Sequence, residues 1–214
     1  MFKTIFGTID SYSMLGLIQQ KVEIGPALPK TSFVDIPGAN GSKDLTEALG
    51  VGVRYKDRTI KWTFALYPGD DWPAKISEVS NALNGKRMEI KLDGDTMHYL
   101  GRVSVDSHKS DKLLRQITVS AVCEPYKVSS TAKTQTENIT TSYKLVNVVI
   151  GDLPQVPTVT VSRETVFKVG TFEKTVAAGT HTIPELYASG TATYQVKTTA
   201  STGTVTFSWT EGSL

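Results

Sequence analysis

Few residues in this chain could do chemistry, and they do not gather. Histidine occurs at 98, 108 and 181, and cysteine only at 123. A zinc centre needs at least three convergent ligands, and none of these four residues lies within ligand spacing of another. Cys123 alternates with Ile117, Val119 and Ala121, so it reads as a small hydrophobe on the apolar face of a strand. A nucleophile would need a base and an orienting partner, and nothing marks one. His98 falls in a hairpin strand and reads as a surface or half-buried residue.

The remaining motifs reduce to structure. Gly38-Ala39-Asn40-Gly41-Ser42-Lys43 superficially looks like a phosphate loop, but it lacks the Gly-Lys-Ser/Thr order that opens a helix after a strand. Pro37-Gly38 and Asn40-Gly41 are turn formers that permit positive φ, so this is a shaped loop. Asp93 and Asp95 flank Gly94 without the further oxygen ligands of a calcium loop, and read as a solvated turn. Asp70-Asp71 complements a helix N-terminus. Asn138-Ile139-Thr140 matches a glycosylation sequon, which carries no meaning without secretion. Lys86-Arg87 is too short for a nucleic-acid patch. The expectation is a protein without catalytic, cofactor-binding or metal-binding residues, and not an enzyme.

The elements that would position any surface are mostly strands. Val51–Tyr55, Ile60–Leu66 and Met88–Leu92 alternate apolar with polar residues, the signature of half-buried strands. With Asp93-Gly94-Asp95 as a turn, residues 87–103 form a hairpin. One helix stands out, starting at Asp71 or Trp72, with Pro73 in its first turn. Trp72, Ile76, Val79 and Leu83 form its apolar stripe, and Gly85 can supply a left-handed cap. This gives a mainly β, α+β first domain.

Composition shifts near residue 128. Residues 1–128 carry 17 of the 23 Lys+Arg and 15 of the 21 Asp+Glu, leaving six of each to the rest. Ser129 to Thr136 is polar without a hydrophobic period and reads as a linker or exposed connection. Beyond it, runs at 156–161, 166–169, 191–196 and 205–209 are punctuated by Gly170, Gly179, Gly190 and Gly203. That spacing suits a small antiparallel β-sandwich. The expected domains are residues 1–130 and 131–214.

The 214 residues allow one or two domains and a core that needs no cross-links. A net charge of +2 is too mild for a nucleic-acid protein. One cysteine excludes an internal disulfide. The N-terminus, MFKTIFGTID, has no apolar run of signal-peptide length, and no stretch approaches the ~18 apolar residues of a spanning helix. The expectation is a soluble protein made in a cytoplasm.

Several segments in order resemble the distal tail (Dit) family of siphophages. They are Phe33-Val-Asp-Ile-Pro-Gly-Ala-Asn-Gly-Ser-Lys-Asp-Leu-Thr-Glu-Ala-Leu49, Tyr55-Lys-Asp-Arg58-Thr-Ile, the stretch from Trp72 to Asn84-Gly85-Lys86, Tyr99-Leu-Gly-Arg102-Val, Gly179-Thr-His-Thr-Ile-Pro-Glu-Leu186 and Phe207-Ser-Trp-Thr-Glu-Gly-Ser-Leu214. Ala39, Asn40 and Thr210 depart from the family's usual residues. The resemblance implies an N-terminal β-sandwich with one packed helix and a hairpin, then a galectin-like C-terminal sandwich. It implies a virion component of the baseplate that forms a homohexameric ring, single or stacked. That ring would bridge the tail tube protein, the tail-associated hub or lysin protein and receptor-binding proteins in host adsorption. DNA would pass through its lumen without specific binding, with no membrane partner. A minimal form without carbohydrate-binding insertions fits the length. Asp35, Pro37, Gly38, Asn40, Gly41, Asp44, Arg58, Asp93 and Gly94 are the expected assembly-interface residues.

Two other functions fit a β-rich chain. A carbohydrate-binding module would present an aromatic platform, with Tyr187, Tyr194 and Trp209 as candidates, although Tyr194 and Trp209 sit in strand patterns and read as core. A tail-tube subunit would share the same ring logic.

Overall fold

The computed structural model describes residues 2–48, 52–67, 69, 71–110 and 115–214. The chain divides into two compact units, Met1–Lys127 and Val128–Leu214.

Unit 1 holds β1 (Thr4–Phe6), β2 (Ile9–Asp10), β3 (Ile18–Ile24), β4 (Phe33–Asp35), β5 (Ser42–Asp44), β6 (Arg58–Ala65), α1 (Trp72–Leu83), β7 (Arg87–Leu92), β8 (Met97–Ser110) and β9 (Arg115–Cys123). An antiparallel sheet runs in the order β3-β6-β9-β8-β7-β1-β2. Alternation decides its faces. Ile60, Trp62 and Phe64 of β6 sit opposite Ala121, Val119 and Ile117 of β9, and all six are buried. The sheet folds over on itself, because the ring of Phe6 on β1 meets Trp62 on β6 edge-on at 5.1 Å, although three strands separate β1 from β6 in the sheet.

Helix α1 closes this core. Asp71 caps it by accepting the Ala74 N–H at 3.4 Å, and Pro73 occupies the first turn. Its stripe buries Val79 and Leu83 fully, with Trp72 packed against the same core. Each fully buried aliphatic side chain contributes about 1.5–3 kcal/mol. Gly85 then takes φ +75° and its N–H donates to the Val103 carbonyl at 2.8 Å, tying the helix end to β8. The β7–β8 hairpin pairs Arg87 with Arg102 and Ile90 with Tyr99.

Unit 2 is a sandwich of two four-stranded sheets. Its strands are β10 (Lys127–Thr140), β11 (Lys144–Gln155), β12 (Thr158–Val161), β13 (Thr165–Val169), β14 (Phe172–Val176), β15 (Gly179–Thr182), β16 (Ala188–Thr198) and β17 (Thr202–Ser213). One sheet runs β15-β12-β17-β10 and the other β11-β16-β13-β14. Their inner faces meet where Tyr194 stacks on Phe207 at 5.4 Å and Phe167 abuts Phe207 at 6.2 Å. The buried Tyr194 hydroxyl donates to the Leu186 carbonyl at 2.7 Å, which holds a short 3-10 turn at Pro184–Leu186 against the core.

Three expectations need correction. Val51 lies outside the described residues, and Gly52 to Arg54 form no strand; Tyr55 makes only an isolated bridge with Pro29. Gly52 adopts φ +70°, a left-handed conformation that interrupts an extended chain. Ser129 to Thr136 is not a linker but the body of β10. Threonine is β-branched and suits a strand with a wet face, and the Thr136 and Thr206 hydroxyls meet at 2.8 Å. His98 is neither exposed nor half-buried: it is 8% exposed, with Nε2 3.7 Å from the Glu89 carboxylate.

Candidate assembly surfaces

Between β3 and β6 the chain leaves the body of unit 1. At the root, two segments zip together: Gly25 N–H donates to the Thr59 carbonyl at 2.8 Å, Lys56 N–H to Leu28 at 2.7 Å, and Lys30 N–H to Arg54 at 2.7 Å. Gly25 is required there, because a Cβ would lie 2.8 Å from the Thr59 oxygen. Further out, Leu45 N–H donates to the Ser32 carbonyl at 2.8 Å, and β4 pairs antiparallel with β5 as a separate two-stranded ribbon.

The tip of this arm carries six of the nine sequence-predicted interface residues. Asp35 ends β4 and accepts the Ser42 hydroxyl at 2.5 Å. Pro37, Gly38, Asn40 and Gly41 form the connection, with Gly38 at φ +83° and Gly41 at φ +74°, and the Ala39 N–H closes a turn onto the Ile36 carbonyl at 3.0 Å. Asp44 accepts the Thr46 N–H at 2.9 Å. Hydrogen bonds from Thr46, side chain first and then backbone, hold the Asp44 carboxyl below its usual range.

The arm's apolar side chains were not anticipated as functional. Phe33 is 58% exposed and Ile36 48%, and Leu28, Val34 and Leu45 are exposed as well. From Gly25 to Asp57 no described residue is buried. The signal in the sequence was the run Phe33-Val34-Asp35-Ile36, too apolar for a polar loop yet too short to line a core.

The other three residues lie elsewhere. Asp93 and Gly94 cap the β7–β8 turn, exposed, with Gly94 at φ +75°. Lys3, Lys91 and Asp93 border a small hollow there of about 110 Å³. Arg58 is 7% exposed. Its guanidinium lies 5.5 Å from the Tyr99 ring centroid, and its Nε has no hydrogen-bond partner among the described residues. In the single chain it is thus packed into unit 1 beside Tyr99.

The reactive-residue types are placed as packing groups. Cys123 is buried, and burial pushes its thiol up to about 12, so the nucleophilic thiolate is absent at neutral pH. Among the described residues no three His, Cys, Asp or Glu side chains gather as a metal site. Of the candidate sugar-platform aromatics, Tyr194 and Trp209 are core, and only Tyr187 is exposed.

Fold and surfaces together define a chain of two β-built units, the first bearing an apolar ribbon that its own core does not support. No protein-family model matches the chain, and no curated protein does. Among solved structures it is similar to the Dit protein (gp 19.1) of SPP1, described as a paradigm of the hub adsorption apparatus in phages infecting Gram-positive bacteria. The TM-score is 0.69 at 16% identity, over 100% of both chains. The chain thus has the fold of that Dit protein along its whole length.

Proposed function

We propose that this protein is a structural component of a phage tail tip, of the distal tail type, whose copies close into a homohexameric ring. The ring joins the tail tube to the tail-associated hub protein and to receptor-binding proteins. The observation that carries this is the arm: a ribbon with five exposed large apolar side chains and no buried residue. These side chains are about half exposed, so covering them is worth roughly 1 kcal/mol each, which a second copy of the chain can supply. An arm on one surface that grips a different surface of its neighbour makes a head-to-tail contact, and such contacts give a ring when the rotation from copy to copy closes. The full-length likeness to the SPP1 Dit protein supports the same reading. A stable contact of this kind buries more than about 1,000 Å² in total.

The test is light scattering and electron microscopy on the full chain and on a Phe33→Ser/Ile36→Ser variant. The wild type is expected to form rings, and the variant to stay monomeric and folded, with an unfolding temperature lowered only by the stabilisation that assembly gives the wild type. A variant that assembles as the wild type does would remove the arm from the account.

A further inference from the structure

At one end of the unit 2 sandwich, the end of β10, the β12–β13 turn and the start of β17 border an open cleft of about 540 Å³. That volume is within the range of small-ligand sites, about 300–1,000 Å³. It is lined by Thr140, Ser162, Thr202 and Thr204, which carry hydroxyls, by Asn138 with its amide and by Arg163 with its guanidinium.

The wall is built before any ligand arrives. Ser162 and Thr204 lock the two segments together: the Thr204 N–H donates to Ser162 Oγ at 2.8 Å and the Ser162 N–H to the Thr204 carbonyl at 3.1 Å. The Thr165 hydroxyl donates to the Arg163 carbonyl at 2.8 Å, and the Thr198 hydroxyl to the Glu164 carbonyl at 2.9 Å. The turn that carries Arg163 is thus fixed at both of these carbonyls. Preorganised polar groups of this kind reduce the ordering cost of binding.

The side chains keep capacity to spare. Ser162 Oγ and Thr140 Oγ1 each accept a backbone N–H, which leaves their own protons to donate outward. Among the described residues no carboxylate pairs with the Arg163 guanidinium. A guanidinium is a planar fork of donors that matches a carboxylate or phosphate in two parallel hydrogen bonds. Hydroxyls and an amide, each both donor and acceptor, match the vicinal hydroxyls of a sugar ring.

We propose that this cleft binds an anionic saccharide, with Arg163 taking the carboxylate or phosphate and the hydroxyl wall taking the ring. The site needs no aromatic platform, which is why the burial of Tyr194 and Trp209 does not count against it. It lies wholly within unit 2, apart from the arm, and holds whether or not the chain forms rings.

Ligand-observed saturation-transfer NMR on the full chain tests this with four probes: glucuronic acid, glucose 6-phosphate, glucose, and inorganic phosphate as competitor. Both anionic sugars are expected to bind, and glucose about tenfold or more weakly, the worth of one charge-assisted pair. Arg163→Gln, an exposed position, is expected to lower anionic-sugar affinity about tenfold and leave glucose unchanged. Thr204→Val is expected to weaken all three sugars. The relative strength of the two anionic sugars shows whether carboxylate or phosphate is preferred. No saturation transfer up to ~20 mM, a range that reaches affinities weaker than 1 mM, would overturn the proposal. So would undiminished binding to Arg163→Gln, and displacement by inorganic phosphate at equal concentration would show a bare anion contact instead of a saccharide site.

Discussion

Gly101 has no room for a side chain. It pairs with Cys123 across β8 and β9, and a Cβ there would lie 2.5 Å from Cys123 Sγ and 2.9 Å from the Val122 carbonyl oxygen. Overpacking in a core costs about 1–3 kcal/mol, so Gly101→Ala is expected at the upper end of that range in urea unfolding. Cys123→Ala in the same chain should recover only part of the loss, because the backbone oxygen stays. A second residue-scale prediction concerns Asp10. Its carboxylate accepts Lys3 Nζ at 2.8 Å and the Ser13 and Tyr12 N–H groups at 3.0 and 2.9 Å. These bonds, Lys3 foremost, lower its pKa from 3.8 to about 2. The folded value lies below the unfolded one, so the stabilisation is complete above about pH 4 and disappears as pH falls toward 2. Asp10→Asn should therefore be less stable than wild type at pH 7, with the gap narrowing over that acid window in denaturant titrations. At this scale the sequence was legible where neighbours in space are neighbours in the chain: the Pro37–Gly41 turn and the Asp93-Gly94 turn. Arg58 is buried in register with Ile60, Trp62 and Phe64 on β6, a placement that the strand read from Ile60 onward did not include. The Gly101–Cys123 approach depends on cross-strand register, which alternation alone does not give.

Helix α1 and the arm are opposite kinds of element. The helix is held by the core it covers, so Leu83→Ala, which empties a fully buried site, is expected to cost about 2–5 kcal/mol, read by thermal or chemical unfolding. The arm is held by its own backbone ladder and contributes no buried residue. Gly41 sits at φ +74°, which proline cannot adopt, and Asp44 fixes the turn at Thr46. Gly41→Pro with Asp44→Ala should thus distort the ribbon and abolish assembly in size-exclusion chromatography with light scattering. The unfolding free energy of the isolated chain should move by no more than about 0.5 kcal/mol, as for other exposed sites. The strongly periodic elements, β6, β7, β9, α1 and β17, were readable because each buries one face. Others were not. β10 has a largely wet face and few apolar residues, so its strand character comes from pairing with β17 and not from pattern. Gly52 broke a stretch whose alternation looked like a strand. β1 and β2 are only three and two residues long, too short for a period to register.

Each unit carries its own hydrophobic core, one around Trp62 and Phe64 and the other around Tyr194 and Phe207, so neither needs the arm to fold. Charge and Ser/Thr content shift near residue 128 in the sequence, and the two compact units meet in the chain at Lys127 and Val128. The proposed ring has no such signature, because it depends on how copies meet; what the described residues offer toward it is apolar surface left uncovered. A modest net charge of +2 leaves little long-range repulsion to oppose association of like chains. The most direct measurement is electron microscopy of the purified full-length chain, with two-dimensional class averages of single particles. The account predicts closed rings of six copies, alone or as a pair, that do not lengthen with concentration. A chain that stays monomeric at tens of micromolar, ~10⁻⁵ M being ample for a contact of nanomolar to micromolar strength, or that grows into open-ended tubes, would contradict it.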